Sequence, residues 1–147
     1  MKALYFQCAA RSALGLVRNG NEDSALIGAQ VIAVADGMGG HAGGEVASSV
    51  AINTLAEIAP TFTSENIDVD SASDLYLNSL HTIDAQIRAV ANDEPALSGM
   101  GTTLTSLFIS GTEVSLLHIG DSRAYRLRGK HSRAAQRRPH RSARVVR

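Results

Sequence analysis

The sequence predicts an α+β fold, with strands at both ends of the chain and two helices between them. Three patterns point to it. Val31-Ile32-Ala33-Val34-Ala35 is an apolar, β-rich run of the length of one buried strand. Two apolar stripes at helical spacing follow it, and after residue 102 come short alternating segments punctuated by glycine-containing turns. The order is strands, helices, strands, without regular βαβ alternation and without an internal repeat. A chain of 147 residues suffices for one domain with a sizeable core.

Tyr5 to Ser12 reads as a first strand, and Leu14 to Val17 leads from it into Arg18. Asn19-Gly20-Asn21 has turn chemistry, Glu22-Asp23 follows, and Ser24 to Gly28 resumes an extended segment. The strand at Val31 is expected to end at Asp36, where five glycines in eight residues (37, 39, 40, 43 and 44) fold the backbone back tightly. Val46, Val50, Leu55 and Ile58 predict a helix from about Gly44 to Ala59, stopped by Pro60. A polar loop over 61–70 precedes a second helix capped by Ser71 or Ser73. Its stripe of Tyr76, Leu80, Ile83, Ile87 and Val90 is core contact, and Asn92 to Pro95 ends it. Thr102 to Ile109 and Val114 to Ile119 read as a hairpin about Ser110-Gly111-Thr112. Gly120-Asp121-Ser122-Arg123 makes a polar corner before a last strand, Ala124 to Arg128.

No apolar run approaches the roughly 20 residues that cross a bilayer, so no membrane role is expected. The apolar patch at the N-terminus is broken by Gln7, which argues against a signal peptide. Cys8 is the sole cysteine and reads as a small core hydrophobe; the default location is cytoplasmic. A net charge of zero hides a split. Residues 1–130 hold 8 lysines and arginines against 14 acids, whereas residues 131–147 hold six arginines and no acid. The second piece is expected to be a basic, disordered tail, of the kind a shifted reading frame in a GC-rich gene would encode.

Three polar corners lie at ends of predicted strands: Arg18 with Glu22-Asp23, Asp36-Gly37, and Gly120-Asp121. Gathered at one sheet end, these acids would repel unless cations neutralised them, and oxygen-only donors select Mg²⁺ or Mn²⁺ over zinc. An arginine among them would hold the oxygens of a phosphate. That combination suits hydrolysis at phosphorus by metal-activated water.

Arg18-Asn19-Gly20-Asn21-Glu22-Asp23, Asp36-Gly37-Met38-Gly39-Gly40-His41, Gly101-Thr102-Thr103-Leu104 and Gly120-Asp121-Ser122-Arg123-Ala124-Tyr125 closely resemble, in this order, the motifs of the metal-dependent protein serine/threonine phosphatases of the PPM (PP2C) family, bacterial type. The resemblance covers residues 5–130 and implies a β-sandwich flanked by helices (αββα), here incomplete at the C-terminus, with a two-metal centre of Mn²⁺ or Mg²⁺. It implies that Asp36 bridges the ions, that the Gly37 carbonyl ligates one, and that Glu22 and Asp23 act mostly through bound water. Arg18 would bind the substrate phosphate, Asp121 would serve a third, weaker metal site, and Thr102 and Thr103 would be structural. Met38 stands where eukaryotic members carry a histidine; His41 reads as a loop residue and His118 as a satisfied core histidine.

The last acid of the chain is Asp121, so the two later aspartates of the family pattern are absent and activity is expected to be impaired. Phosphorylated serine/threonine proteins, and a serine/threonine kinase acting on them, are the implied partners in signalling. Two other classes compete. One is a non-catalytic module of the same fold that binds a phosphoprotein or regulator. The other, ranked lower, is nucleic-acid binding through the arginine-rich tail, which lacks interleaved aromatics.

Overall fold

The computed structural model describes residues 4–17, 19–39, 42–64, 66–135 and, through the backbone, 142–146. Strands β1 (Asp23–Ile27) and β2 (Val31–Met38) form a hairpin, followed by helices α1 (Gly43–Thr63) and α2 (Val69–Asp93). A short 3₁₀ turn, Pro95–Leu97, leads to β3 (Gly101–Thr102), β4 (Leu104–Ser110) and β5 (Glu113–Ile119). β6 (Tyr125–Arg128) and β7 (His131–Ala134) pair as a separate two-stranded ribbon, and β8 is Ser142–Val146. The main sheet runs β1-β2-β4-β5-β8, antiparallel throughout, with β3 also paired to β2.

Both helices pack on one face of this sheet. β2 alternates strictly, so Val31, Ala33, Ala35 and Gly37 face the helices while Val34, Asp36 and Met38 face outward. Val31, Ala33 and Ala35 meet Ala51, Ile52 and Leu55 of α1, Tyr76 and Ile83 of α2, and Phe108 and Leu117 of the sheet in one core. The α+β class stands as expected, in the form of one helix-covered sheet and a ribbon. No helix among the described residues is long and apolar enough to cross a membrane.

Several boundaries differ from expectation. Tyr5 to Ser12 forms no strand: the N–H of Phe6 donates to Ala29 O at 2.7 Å, and an extended run without a continuous ladder is not sheet. Cys8, on this surface segment, is exposed rather than core. Pro60 does not stop α1. The bond its ring removes would have gone to Ala56 on the solvent side, where water can replace it. Two residues on, Phe62 locks the last turn into an aromatic cluster, 5.0 Å from Phe108 and 5.4 Å from Tyr76 between ring centroids. Neither Ser71 nor Ser73 caps α2. Asp68 does, accepting from the N–H of Ser71 at 2.9 Å, and an anionic cap also complements the helix dipole. Residues 131–134 and 142–146, expected to be disordered, form β7 on β6 and β8 on β5, because each lies beside a strand with an open edge.

Candidate active site

The β1–β2 register sets Asp23 directly opposite Asp36. Directly opposed residues of an antiparallel pair share a face, so both carboxylates stand on the outward face. The next residue, Ser24, turns to the helices, its hydroxyl 3.0 Å from that of Ser48. Asp23 and Asp36 line a cavity of about 680 Å³ together with Arg11, Ser12 and Ser122. Asn21 braces this rim: its side-chain carbonyl accepts from the N–H of Asp23 at 3.0 Å, and its amide reaches Ser12 Oγ at 2.5 Å.

Asp36 was expected to terminate its strand. Instead β2 continues to Met38 and the chain turns only at Gly39, where φ is +148°. Asp36 is consequently held from the neighbouring β3–β4 segment. Its N–H donates to Thr103 Oγ1 at 3.0 Å, and its carbonyl accepts from Thr103 N at 2.9 Å and from Thr102 Oγ1 at 3.0 Å. The buried Thr103 hydroxyl also meets Ser122 Oγ at 2.7 Å, joining Asp36 to the 120–123 corner. That corner packs against Thr103: Gly120 has φ of +99°, and a Cβ there would come within 2.6 Å of Thr103 Cγ2.

Gly37 and Gly44 bring the start of α1 against β2. A Cβ on Gly37 would collide with the Gly44 carbonyl, and one on Gly44 with the Glu22 carboxylate. Glu22 therefore lies over the beginning of α1, where the helix dipole favours an anion, while its neighbour Asp23 enters the cavity. Its own carbonyl accepts from Gly37 N at 3.1 Å.

Asp121 is exposed and does not line the cavity; its charge acts on Arg123, whose guanidinium is held above its usual range mainly by Tyr125, with Asp121 contributing less. Arg18 and His41 lie outside the described residues. His118 is buried with both ring nitrogens bonded. The Gly120 carbonyl, 3.1 Å away, can only accept, so Nε2 carries the proton and Nδ1 accepts from Thr105 at 2.9 Å. Among the described residues, no group of three or more His, Cys, Asp or Glu gathers as a metal cage. Sequence reasoning missed Arg11, which belongs to no motif. It quoted Ser122 within a motif but gave it no role.

Residues 21–145 match the sequence profile of the family Protein phosphatase 2C. The chain belongs to that family. Among relatives, the serine/threonine protein phosphatase PstP of Mycobacterium tuberculosis is 46% identical over 132 residues, covering 85% of this chain and 23% of PstP. Serine/threonine phosphatase stp of Listeria monocytogenes is 32% identical, covering 80% of this chain and 48% of its own length. The solved PstP catalytic domain in complex with two manganese ions superposes with a TM-score of 0.77 at 43% identity, over 87% of this chain and 54% of that one. PppA of Pseudomonas aeruginosa gives 0.77 at 36% identity, over 92% and 56%. This protein phosphatase 2C chain thus spans from about a quarter to about half the length of the curated relatives it matches.

Proposed function

We propose that the chain carries part of the centre of a metal-dependent protein serine/threonine phosphatase acting on phosphorylated serine/threonine proteins, impaired as it stands. The observation that supports this most is the Asp23–Asp36 pair facing one cavity, with the Asp36 backbone fixed by Thr102 and Thr103. The pair offers oxygen donors alone, which fits a hard divalent ion, Mn²⁺ or Mg²⁺, that keeps most of its waters. Among the described residues no third His, Cys, Asp or Glu side chain joins the pair. When bound, the ion supplies an activated water and offsets charge at phosphorus.

In this reading Asp36 is the central ligand, with the Gly37 carbonyl beside it, and Asp23 and Glu22 orient bound water. Arg18 takes the substrate phosphate, and Arg11 adds positive charge to the same cavity. Asp121 serves a third, weaker site. A cytoplasmic, signalling role opposite a serine/threonine kinase completes the proposal. In the test, phosphate release from a phosphothreonine peptide is weak, requires Mn²⁺ and disappears in Asp36→Asn. Release that survives both chelator and Asp36→Asn overturns it.

A second reading has an observation in its favour. A cavity whose described residues supply only two carboxylates suits a non-catalytic module that binds a phosphoprotein or regulator. Phosphopeptide binding without any Mn²⁺-dependent release selects the module.

A further inference from the structure

The ribbon β6–β7 carries an unusual charge arrangement. Its register pairs Arg126 with Arg133 and Arg128 with His131. Opposed residues share a face, so three arginines and a histidine stand together on one side of a ribbon whose residues are all exposed. Tyr125 and Leu127 occupy the other side with Ser132 and Ala134. Like charges directly opposite one another destabilise a strand pair unless an anion lies over them.

The ribbon also begins beside the candidate active site. Ser122 lines the cavity of Asp23 and Asp36, and β6 starts three residues later. Arg123 and Ala124 line a second groove of about 200 Å³ on the outward sheet face, with Ile32 and Val34.

We propose that the cationic face of the β6–β7 ribbon docks a phosphorylated, acidic peptide segment next to the target residue of a substrate protein. The inference rests on the phosphatase reading above. Four residues of strand span about 13 Å, the reach of a short extended peptide. Guanidinium groups recognise phosphate and carboxylate oxygens in a two-pronged geometry. Nucleic acid fits less well, since the aromatic side chain lies on the opposite face from the arginines and offers no stacking platform among them.

The test uses the full chain, a labelled phosphothreonine peptide with four flanking glutamates, the same peptide with glutamines, and a single-stranded oligonucleotide of equal charge. Fluorescence anisotropy is expected to show the acidic peptide binding about tenfold tighter than the neutral one, with affinity falling as salt rises. The double variant Arg128→Glu/Arg133→Glu loses that preference, as does Arg128→Gln/Arg133→Gln, which keeps the fold accessible should charge reversal disturb it. Equal binding of the two peptides, or a preference surviving both variants, overturns the proposal. So does tighter binding of the oligonucleotide that is lost in the same variants. Phosphate release measured beside binding on the parent chain separates the two readings: docking without hydrolysis counts against the phosphatase reading alone, and hydrolysis without docking counts against this one alone.

Discussion

Asp36 owes its position to two threonines rather than to the glycines that follow it. The Thr103 hydroxyl is buried and serves both the N–H of Asp36 and Ser122, so Thr103→Val leaves the part-buried Asp36 N–H without its partner. A loss of about 1–3 kcal/mol is expected in urea unfolding. Thr102→Val removes only one of the two bonds accepted by the Asp36 carbonyl and should cost less. That Asp23 and Asp36 stand near strand ends was legible from the apolar run and the polar corner before it, whereas the register that opposes them was not. Thr102 and Thr103 read as structural, but the backbone groups they clasp were not legible. Threonine is a common strand former, and nothing in its spacing reveals a hydroxyl turned onto a neighbouring backbone. Nor was the parting of the Glu22 and Asp23 side chains legible; it follows because adjacent residues on an extended chain point to opposite faces.

At the scale of elements, the approach of α1 to β2 depends on the absence of side chains at Gly37 and Gly44. Gly37→Ala sets a methyl against a backbone carbonyl that cannot swing away, and about 3 kcal/mol of destabilisation is expected. Phe62→Ala should cost about 3–5 kcal/mol by emptying one position of the aromatic cluster that carries α1 past Pro60. The helices themselves were legible from their stripes. Their ends were not, because Pro60 is outweighed by a buried ring two residues later and because an acid just before the stripe outcompetes the serines as cap. Hydrogen bonding to Ser71 holds the Asp68 carboxyl below its usual range. The unfolded chain thus binds the proton more readily, so the cap's contribution is complete above the ordinary carboxylate pKa of about 4 and is lost as pH falls through the lower folded value. The gap in melting temperature between the parent chain and Asp68→Ala should be present at neutral pH and shrink in acid; a gap independent of pH would contradict this.

On the scale of the whole molecule, one face of a five-stranded path is sealed by helices and the other carries Asp23 and Asp36. Val34 and Ile27 stand exposed on that same outward face. The composition break near residue 130 was legible, but strand pairing beyond it was not, since β8 gains its ladder from β5 rather than from any alternation of its own. The central claim is that the two opposed carboxylates seat a divalent ion. Titration of Mn²⁺ followed by electron paramagnetic resonance tests it without reference to turnover. Binding should be measurable in the parent chain and weakened about tenfold or more in both Asp23→Asn and Asp36→Asn, with circular dichroism unchanged. Identical Mn²⁺ affinity in all three proteins would contradict the account.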